Sequence, residues 1–367
     1  MLVSELATPC LVLDKTRLER NLVTMRDRAA AAGKKLRPHA KTHKCSALAK
    51  KQMAFGNVTG FCAAKLAEAE ALAAAGIGEI LLTSPVVSLS RIGDLTELAA
   101  AHPGVMTTVF ELENAAALAQ AALQRGITLR VLIDLDPGFG RTGVAFDRAL
   151  ELTSTIAGMP GLKIEGFQCY CGDLQHIPGF EERRGKSLAA MRRAAEILRE
   201  ARARGLVKGD ILTGTGTGTS SIDFEVPEIT DIQVGSYCFM DSEYFNIGDK
   251  KGVYGESFPP AISMLSRVVA TARDGFVTVD AGLKELYFTL GAPPRVLNRE
   301  GEWRYEYFGD EHGQLFYPAG RRPALGEVFA LTLPHCDPSV NQFDRIYLTS
   351  GDEVVETWEI DLRGKCY

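Results

Sequence analysis

A chain of 367 residues with 46% hydrophobic and 24% charged side chains folds, and at about 150 residues per domain it predicts two units or one large barrel with an appendage. Its 41 Lys+Arg against 46 Asp+Glu leave a net charge of −5 with no basic face for nucleic acid, and no apolar run approaches the roughly 20 residues that cross a bilayer. The opening MLVSEL lacks the basic and apolar regions of a secretory signal, and eight scattered cysteines without a CxxC pair read as reduced thiols, so a cytoplasmic protein is expected.

A β-type run at 9–13 comes first, followed by a helical stretch over 17–32. Short β-rich runs at 36–40, 60–63, 80–84, 106–110, 129–135, 164–170, 211–214 and 232–237 then alternate with Ala- and Leu-rich helical stretches such as 65–75, 95–101, 113–125 and 180–204. Gly33, Gly76, Gly126 and Gly205 each close a helix just before the next strand. Alternating β and α units predict a parallel sheet, and eight of them allow an α/β architecture closed into a (β/α)8 TIM barrel over residues 15–250. An open doubly wound sheet is the alternative, but no GxGxxG follows the first strand. Beyond 250 the helical period disappears. Strand-like runs at 261–272, 275–279, 302–308, 315–317, 327–331, 345–349 and 353–360, separated by Gly, Pro and Asp, predict a C-terminal all-β domain over 251–367, which the strand within 1–14 is expected to join.

Chemistry concentrates at a few places. RPHAKTHK puts Lys41 at the C-terminal end of the first barrel strand, where barrels build active sites. A partly desolvated lysine there can lose its proton and form a Schiff base with an aldehyde; otherwise it is a surface lysine in a loop. The loop TGTGTGTS follows the seventh strand, and its glycines, Gly216 and Gly218 among them, let the backbone approach an anion while Thr217 and Thr219 add hydroxyl donors. Gly235, Ser236 and Tyr237 follow the eighth strand and could supply the other half of a phosphate cup; the alternative is a flexible turn. A lysine and a phosphate cup in one barrel mouth describe pyridoxal 5′-phosphate (PLP). In LPHCDP, His335 and Asp337 at i, i+2 on an extended segment would point to one side and suit Mn²⁺, Mg²⁺ or Zn²⁺, with Cys336 pointing away; the alternative is a turn with an incidental histidine. His176, after the sixth strand, is an acid–base candidate or a solvated loop histidine. Asp134 and Asp136 read as loop-holding carboxylates, and Glu311-His312 as either a turn or a site.

TPCLVLD, RPHAKTHK, RTGV, the TGTGT loop, VGSY, DAGLK, DEHGQL and PHCDPSVN, in this order from about residue 8 to 360, resemble the D-threonine aldolase family. That family is part of the alanine-racemase-like, fold-type III PLP enzymes, with the eukaryotic-type D-serine dehydratases and D-threo-3-hydroxyaspartate dehydratase. The resemblance implies Lys41 as the Schiff-base lysine, with Arg141 and Tyr170 lining the cofactor. It implies Gly216, Thr217, Gly218, Thr219, Gly235, Ser236 and Tyr237 around the phosphate, and Gln233 where the racemases carry an arginine facing the pyridine nitrogen. It also implies His335 and Asp337 as ligands of a divalent metal, Mn²⁺ foremost, and a homodimer.

Two reactions then compete. Retro-aldol cleavage of a D-3-hydroxy-amino acid to glycine and an aldehyde needs a base on the β-hydroxyl, for which His176 is the candidate. In a β-elimination Lys41 takes the Cα proton and the metal helps hydroxide to leave, giving a 2-oxo acid and ammonia. The dehydratases tend to carry His-x-Cys; this chain has His335-Cys-Asp337, whose harder carboxylate suits Mn²⁺ or Mg²⁺ and favours the aldolase. A non-catalytic PLP carrier would be a bare barrel and leaves the residues after 250 unexplained.

Overall fold

The computed structural model describes residues 1–297 and 299–367. The chain forms two compact units, one made of Met1–Thr24, Thr42–Ala47 and Ser236–Gly364, the other of Met25–Lys41, Leu48–Gly235 and Lys365–Tyr367.

The second of these is the barrel. Its strands are β2 (Lys35–Leu36), β3 (Phe61–Ala63), β4 (Ile80–Leu82), β5 (Val105–Val109), β6 (Leu129–Asp136), β8 (Leu162–Cys169), β9 (Ile211–Thr213) and β10 (Asp231–Ile232), with β7 (Val144–Ala145) a two-residue addition to the end of β6. They pair in parallel in the order β3-β4-β5-β6-β8-β9, and β10 pairs with β2. Parallel bridges Leu36–Val58 and His39–Cys62 join β2 to β3, while the amides of Thr230 and Gln233 donate to Leu212 O (3.0 Å) and Thr215 O (2.9 Å) beside β9, closing the ring. The expected barrel is therefore present. Every residue of β3, β4 and β5 is buried, because a strand with packing on both faces has no solvated side to fill with polar residues. The intervening helices bury one stripe each: Leu112–Arg125 buries Ala115, Leu118, Ala119 and Ala122 and stops at Gly126, whose φ of 72° suits glycine. Cys62, Leu81, Met106 and Leu132 cluster with Ile211. These residues come from both sides of a closed sheet, so they meet across its interior. Leu132 and Asp134 share a face of β6, which puts the polar residues of the mouth directly above this layer.

The other unit is built on β1 (Cys10–Asp14), β11 (Ile262–Ala270), β12 (Phe276–Val279), β13 (Val296–Leu297), β14 (Arg304–Tyr307), β15 (Gly313–Phe316), β16 (Val328–Leu331), β17 (Arg345–Ser350) and β18 (Glu353–Glu359). The main path runs β14-β15-β12-β11-β1-β17-β18, with β16 also on β11 and β13 on β16. β1 is antiparallel to β11 and parallel to β17, and Cys10 and Val12 pack with Leu6 and Leu265. One local expectation is overturned. His335 is extended (φ −136°, ψ 129°), but Cys336–Val340 is a helix, so the segment is not a strand through Asp337. An aspartate and a proline in a first turn both favour a helix start, and they prevail over the i, i+2 reading.

Candidate active site

The C-terminal ends of the barrel strands carry a row of polar side chains. β2 is followed by His39, on β3 through its bridge to Cys62, and then by a single 3-10 turn, Ala40–Thr42, that leaves Lys41 partly exposed at the strand's end. Behind it Arg37 donates to both oxygens of Asp231 (3.0 and 3.3 Å), a buried pair that ties β2 to β10. His39 Nε2 lies 3.3 Å from Thr83 Oγ1, just beyond β4. Asp134, on β6, accepts from Gln168 Nε2 and Thr142 Oγ1, both at 2.9 Å. Gln168 Oε1 in turn accepts from Gln233 Nε2 (3.0 Å), which also donates to Thr213 Oγ1 (3.3 Å). Gln233 is thus held by β8 and β9 and fixed in orientation. Burial pushes Asp134 up to about 6 in spite of its two hydrogen bonds. Asp136 accepts from the amides of Gly138 (2.9 Å) and Gly140 (3.0 Å), the loop-holding role expected of it.

Arg141 and Tyr170 are brought together: the exposed guanidinium lies 5.4 Å from the Tyr170 ring centroid and 5.1 Å from that of Phe139. The loop after β9 is buried throughout Gly214–Thr219. A Cβ on Gly214 would lie 1.7 Å from Cys169 O, and one on Gly216 2.3 Å from Gln175 Oε1, so this loop admits no side chain at either position. Thr217 Oγ1 is buried and has no hydrogen-bond partner among the described residues, an open donor on a glycine-rich turn, as an anion would need. Gln175 Oε1 accepts from Gly218 N–H (3.0 Å), its Nε2 donates to Thr219 Oγ1 (3.3 Å), and Arg183 Nε donates to Gly218 O (2.7 Å). His176 is exposed on the segment after β8, next to Gln175. Gly235 ends the barrel unit. Ser236 and Tyr237 begin the other, where Tyr237 is buried edge-on against Phe258 (6.2 Å).

A second cluster lies within the unit that holds residues 236–364. Asp241 caps the helix Ser242–Phe245, its Oδ1 accepting from Tyr244 N–H (3.1 Å) and its Oδ2 from Cys336 N–H (3.0 Å). His335 Nδ1 meets Asp241 Oδ2 (3.3 Å) and Glu243 Oε2 (2.9 Å), and its Nε2 faces Asp337 Oδ2 at 3.9 Å. Burial works against a charge on His335, but hydrogen bonds to Asp241 and Glu243, with the Asp337 charge, hold its protonated form up to about 11. Three carboxylates thus surround one imidazole, and a metal ion there would take the place of the imidazole's proton. Asp241, Glu243 and His335 offer three ligand atoms within 4.8 Å of one another. However, both Asp241 oxygens already accept backbone N–H groups, which suits a carboxylate that orients a ligating histidine. On the other ring edge, 3.9 Å is too long for a hydrogen bond, so Nε2 and the Asp337 carboxylate face each other without a direct bond between them. Cys336 is buried, and burial raises its thiol well above the usual range. Glu311 pairs with Lys284, and His312 is exposed in the connection between β14 and β15.

The family model for "Alanine racemase, N-terminal domain" matches residues 13–243, more than half of the chain. The chain belongs to this alanine racemase family. A second model, "Putative serine dehydratase domain", matches residues 261–349. Among relatives of this alanine racemase family chain, a 3-hydroxy-D-aspartate aldolase of Paracoccus denitrificans (strain Pd 1222) is 34% identical over 99% of this chain and 94% of its own length. A D-threonine aldolase of Arthrobacter sp is 35% identical over 97% and 93%. The crystal structure of D-threonine aldolase from Filomicrobium marinum superposes with a TM-score of 0.92 at 33% identity, covering 100% of this chain and 99% of that one. The alanine-racemase-like fold expected from the sequence is thereby established.

Several residues of these sites escape sequence reasoning. Asp241 and Glu243 sit in an ordinary-looking MDSEY, and only the 94-residue loop closure onto His335 reveals them. Gln168, Gln175, Thr213 and Arg183 carry no motif and acquire meaning only from strand order.

Proposed function

We propose that this protein is a PLP- and divalent-metal-dependent aldolase that splits D-threonine and related D-3-hydroxy-amino acids into glycine and an aldehyde. The similarity of nearly the whole chain to aldolases supports the class. One observation carries the choice over a β-eliminating dehydratase: the group across from His335 Nε2 is a carboxylate oxygen, while the neighbouring thiol of Cys336 is buried.

PLP, held by Lys41, would supply the electron sink that makes a bond at Cα breakable. The Thr217 hydroxyl and the Gly216–Thr217 end of the glycine-rich loop would bind its phosphate, Arg141 and Tyr170 would flank it, and Gln233 would hold its ring nitrogen in a fixed hydrogen-bonding environment. His335 and Asp337 would hold the cation, Mn²⁺ foremost, which supplies Lewis acidity. His176 would take the proton of the substrate's β-hydroxyl. The substrate is a small molecule, and the protein is proposed to act as a homodimer in the cytoplasm; among the described residues no helix is long and apolar enough to cross a membrane. D-threo-3-hydroxyaspartate tests the reading: an aldolase releases glyoxylate and glycine, and oxaloacetate with ammonia would establish the dehydratase instead.

A further inference from the structure

We infer that Gln175 and Arg183 are positioning residues that couple occupancy of the glycine-rich loop after β9 to the segment 171–178 that carries His176. The inference rests on the reading that this loop holds the cofactor's phosphate. Both faces of one peptide unit pair carry the argument. The N–H of Gly218 is held by Gln175 Oε1 (3.0 Å) and its carbonyl by Arg183 Nε (2.7 Å). Gln175 also donates to Cys171 O (3.0 Å) and Thr219 Oγ1 (3.3 Å), so one amide spans the two loops. The Arg183 guanidinium reaches the other way too, donating to the carbonyls of Ile177 and Pro178. Both side chains are buried, at 1% and 0% exposure, where a planar fork can bond several carbonyls at fixed angles and a lysine cannot.

The two segments are in direct contact at this junction. A Cβ on Gly218 would lie 2.1 Å from Gln175 O, so the loop backbone rests directly on that of residue 175. An anion that fixes the Thr217 hydroxyl and the loop backbone around it therefore orders Gln175 through its bond to the Gly218 amide, and with it the adjoining His176. By linkage, ordering 171–178 strengthens anion binding by the same factor, typically about 5- to 150-fold between coupled sites.

Hydrogen–deuterium exchange of the full chain, freed of cofactor and then given inorganic phosphate or PLP, tests this. Phosphate alone should protect peptides from 214–219 and from 171–178 with one half-saturation concentration. Arg183→Lys and Gln175→Met should keep the first protection, lose the second, and weaken PLP binding about tenfold in a spectroscopic titration. Protection confined to 214–219 overturns the coupling. Protection of neither segment overturns the phosphate reading beneath it. Variants whose segment 171–178 is loosened equally with and without phosphate would make the two residues merely structural. If a variant does not fold, the unmodified chain still decides through its two phosphate-dependent signals.

Discussion

Two buried carboxylates give the barrel a pH signature. Asp134 and Asp223 are both pushed up to about 6, chiefly by burial, although Asp223 also accepts from Ser187 Oγ at 2.6 Å. Their folded-state values exceed the unfolded one near 3.9, so each contributes stability below about pH 4 that is lost as pH rises through 6. Asp223→Asn lacks that contribution. Relative to the parent protein it should gain about 2–3 kcal/mol between pH 4 and 7, read from unfolding free energies at the two pH values; a constant difference would contradict the assignment. Lys41→Ala should abolish the absorbance of lysine-bound cofactor, and a cofactor still covalently attached would exclude Lys41 as its anchor. Asp337→Cys should weaken Mn²⁺ activation at least tenfold while leaving PLP affinity near its original value. Equal loss of both would make Asp337 structural.

At the scale of elements, the glycines of the loop after β9 and those of the helices behave oppositely. Gly218→Ala forces a methyl group against Gln175 O and should cost about 1–3 kcal/mol, with PLP affinity falling roughly tenfold or more. Gly185 is exposed within the helix Phe180–Ala203, and a methyl group there would meet no atom within 4 Å. Gly185→Ala should therefore stabilise by about 0.5–1 kcal/mol in the same unfolding assay. Legibility in the sequence follows the same physics. β3, β4 and β5 are readable because strands buried on both faces exclude charged side chains and leave short runs of apolar residues and threonine. β7 and β13 are not, since two residues carry no period. The helix Cys336–Val340 reads as extended in the sequence because a histidine and an aspartate two apart suggest one strand face, whereas here the two side chains face each other across a helix start.

For the whole molecule, what can be read depends on sequence distance. RPHAKTHK, the TGTGT loop and His335-x-Asp337 each confine their chemistry to a few consecutive residues, and each stands out. The partners that orient them are remote. Asp241 reaches His335 across 94 residues, Gln233 reaches Gln168 across 65, and Gln175 reaches Gly218 across 43. Hydrogen bonds of that span are products of the barrel order and the sheet order, so they become visible only once the strands are paired. The reaction class draws on both: His335-x-Asp337 in the sequence already favours the aldolase, and the fold adds that the Cys336 thiol is buried while an Asp337 oxygen faces the imidazole.

Product analysis with D-threonine in the presence of PLP and Mn²⁺ tests the central claim most directly, with L-threonine and a chelator as controls. Equimolar glycine and acetaldehyde from the D-isomer alone, lost on chelation and restored by Mn²⁺, is the result expected. Ammonia with 2-oxobutyrate, or cleavage indifferent to the chelator, would contradict it.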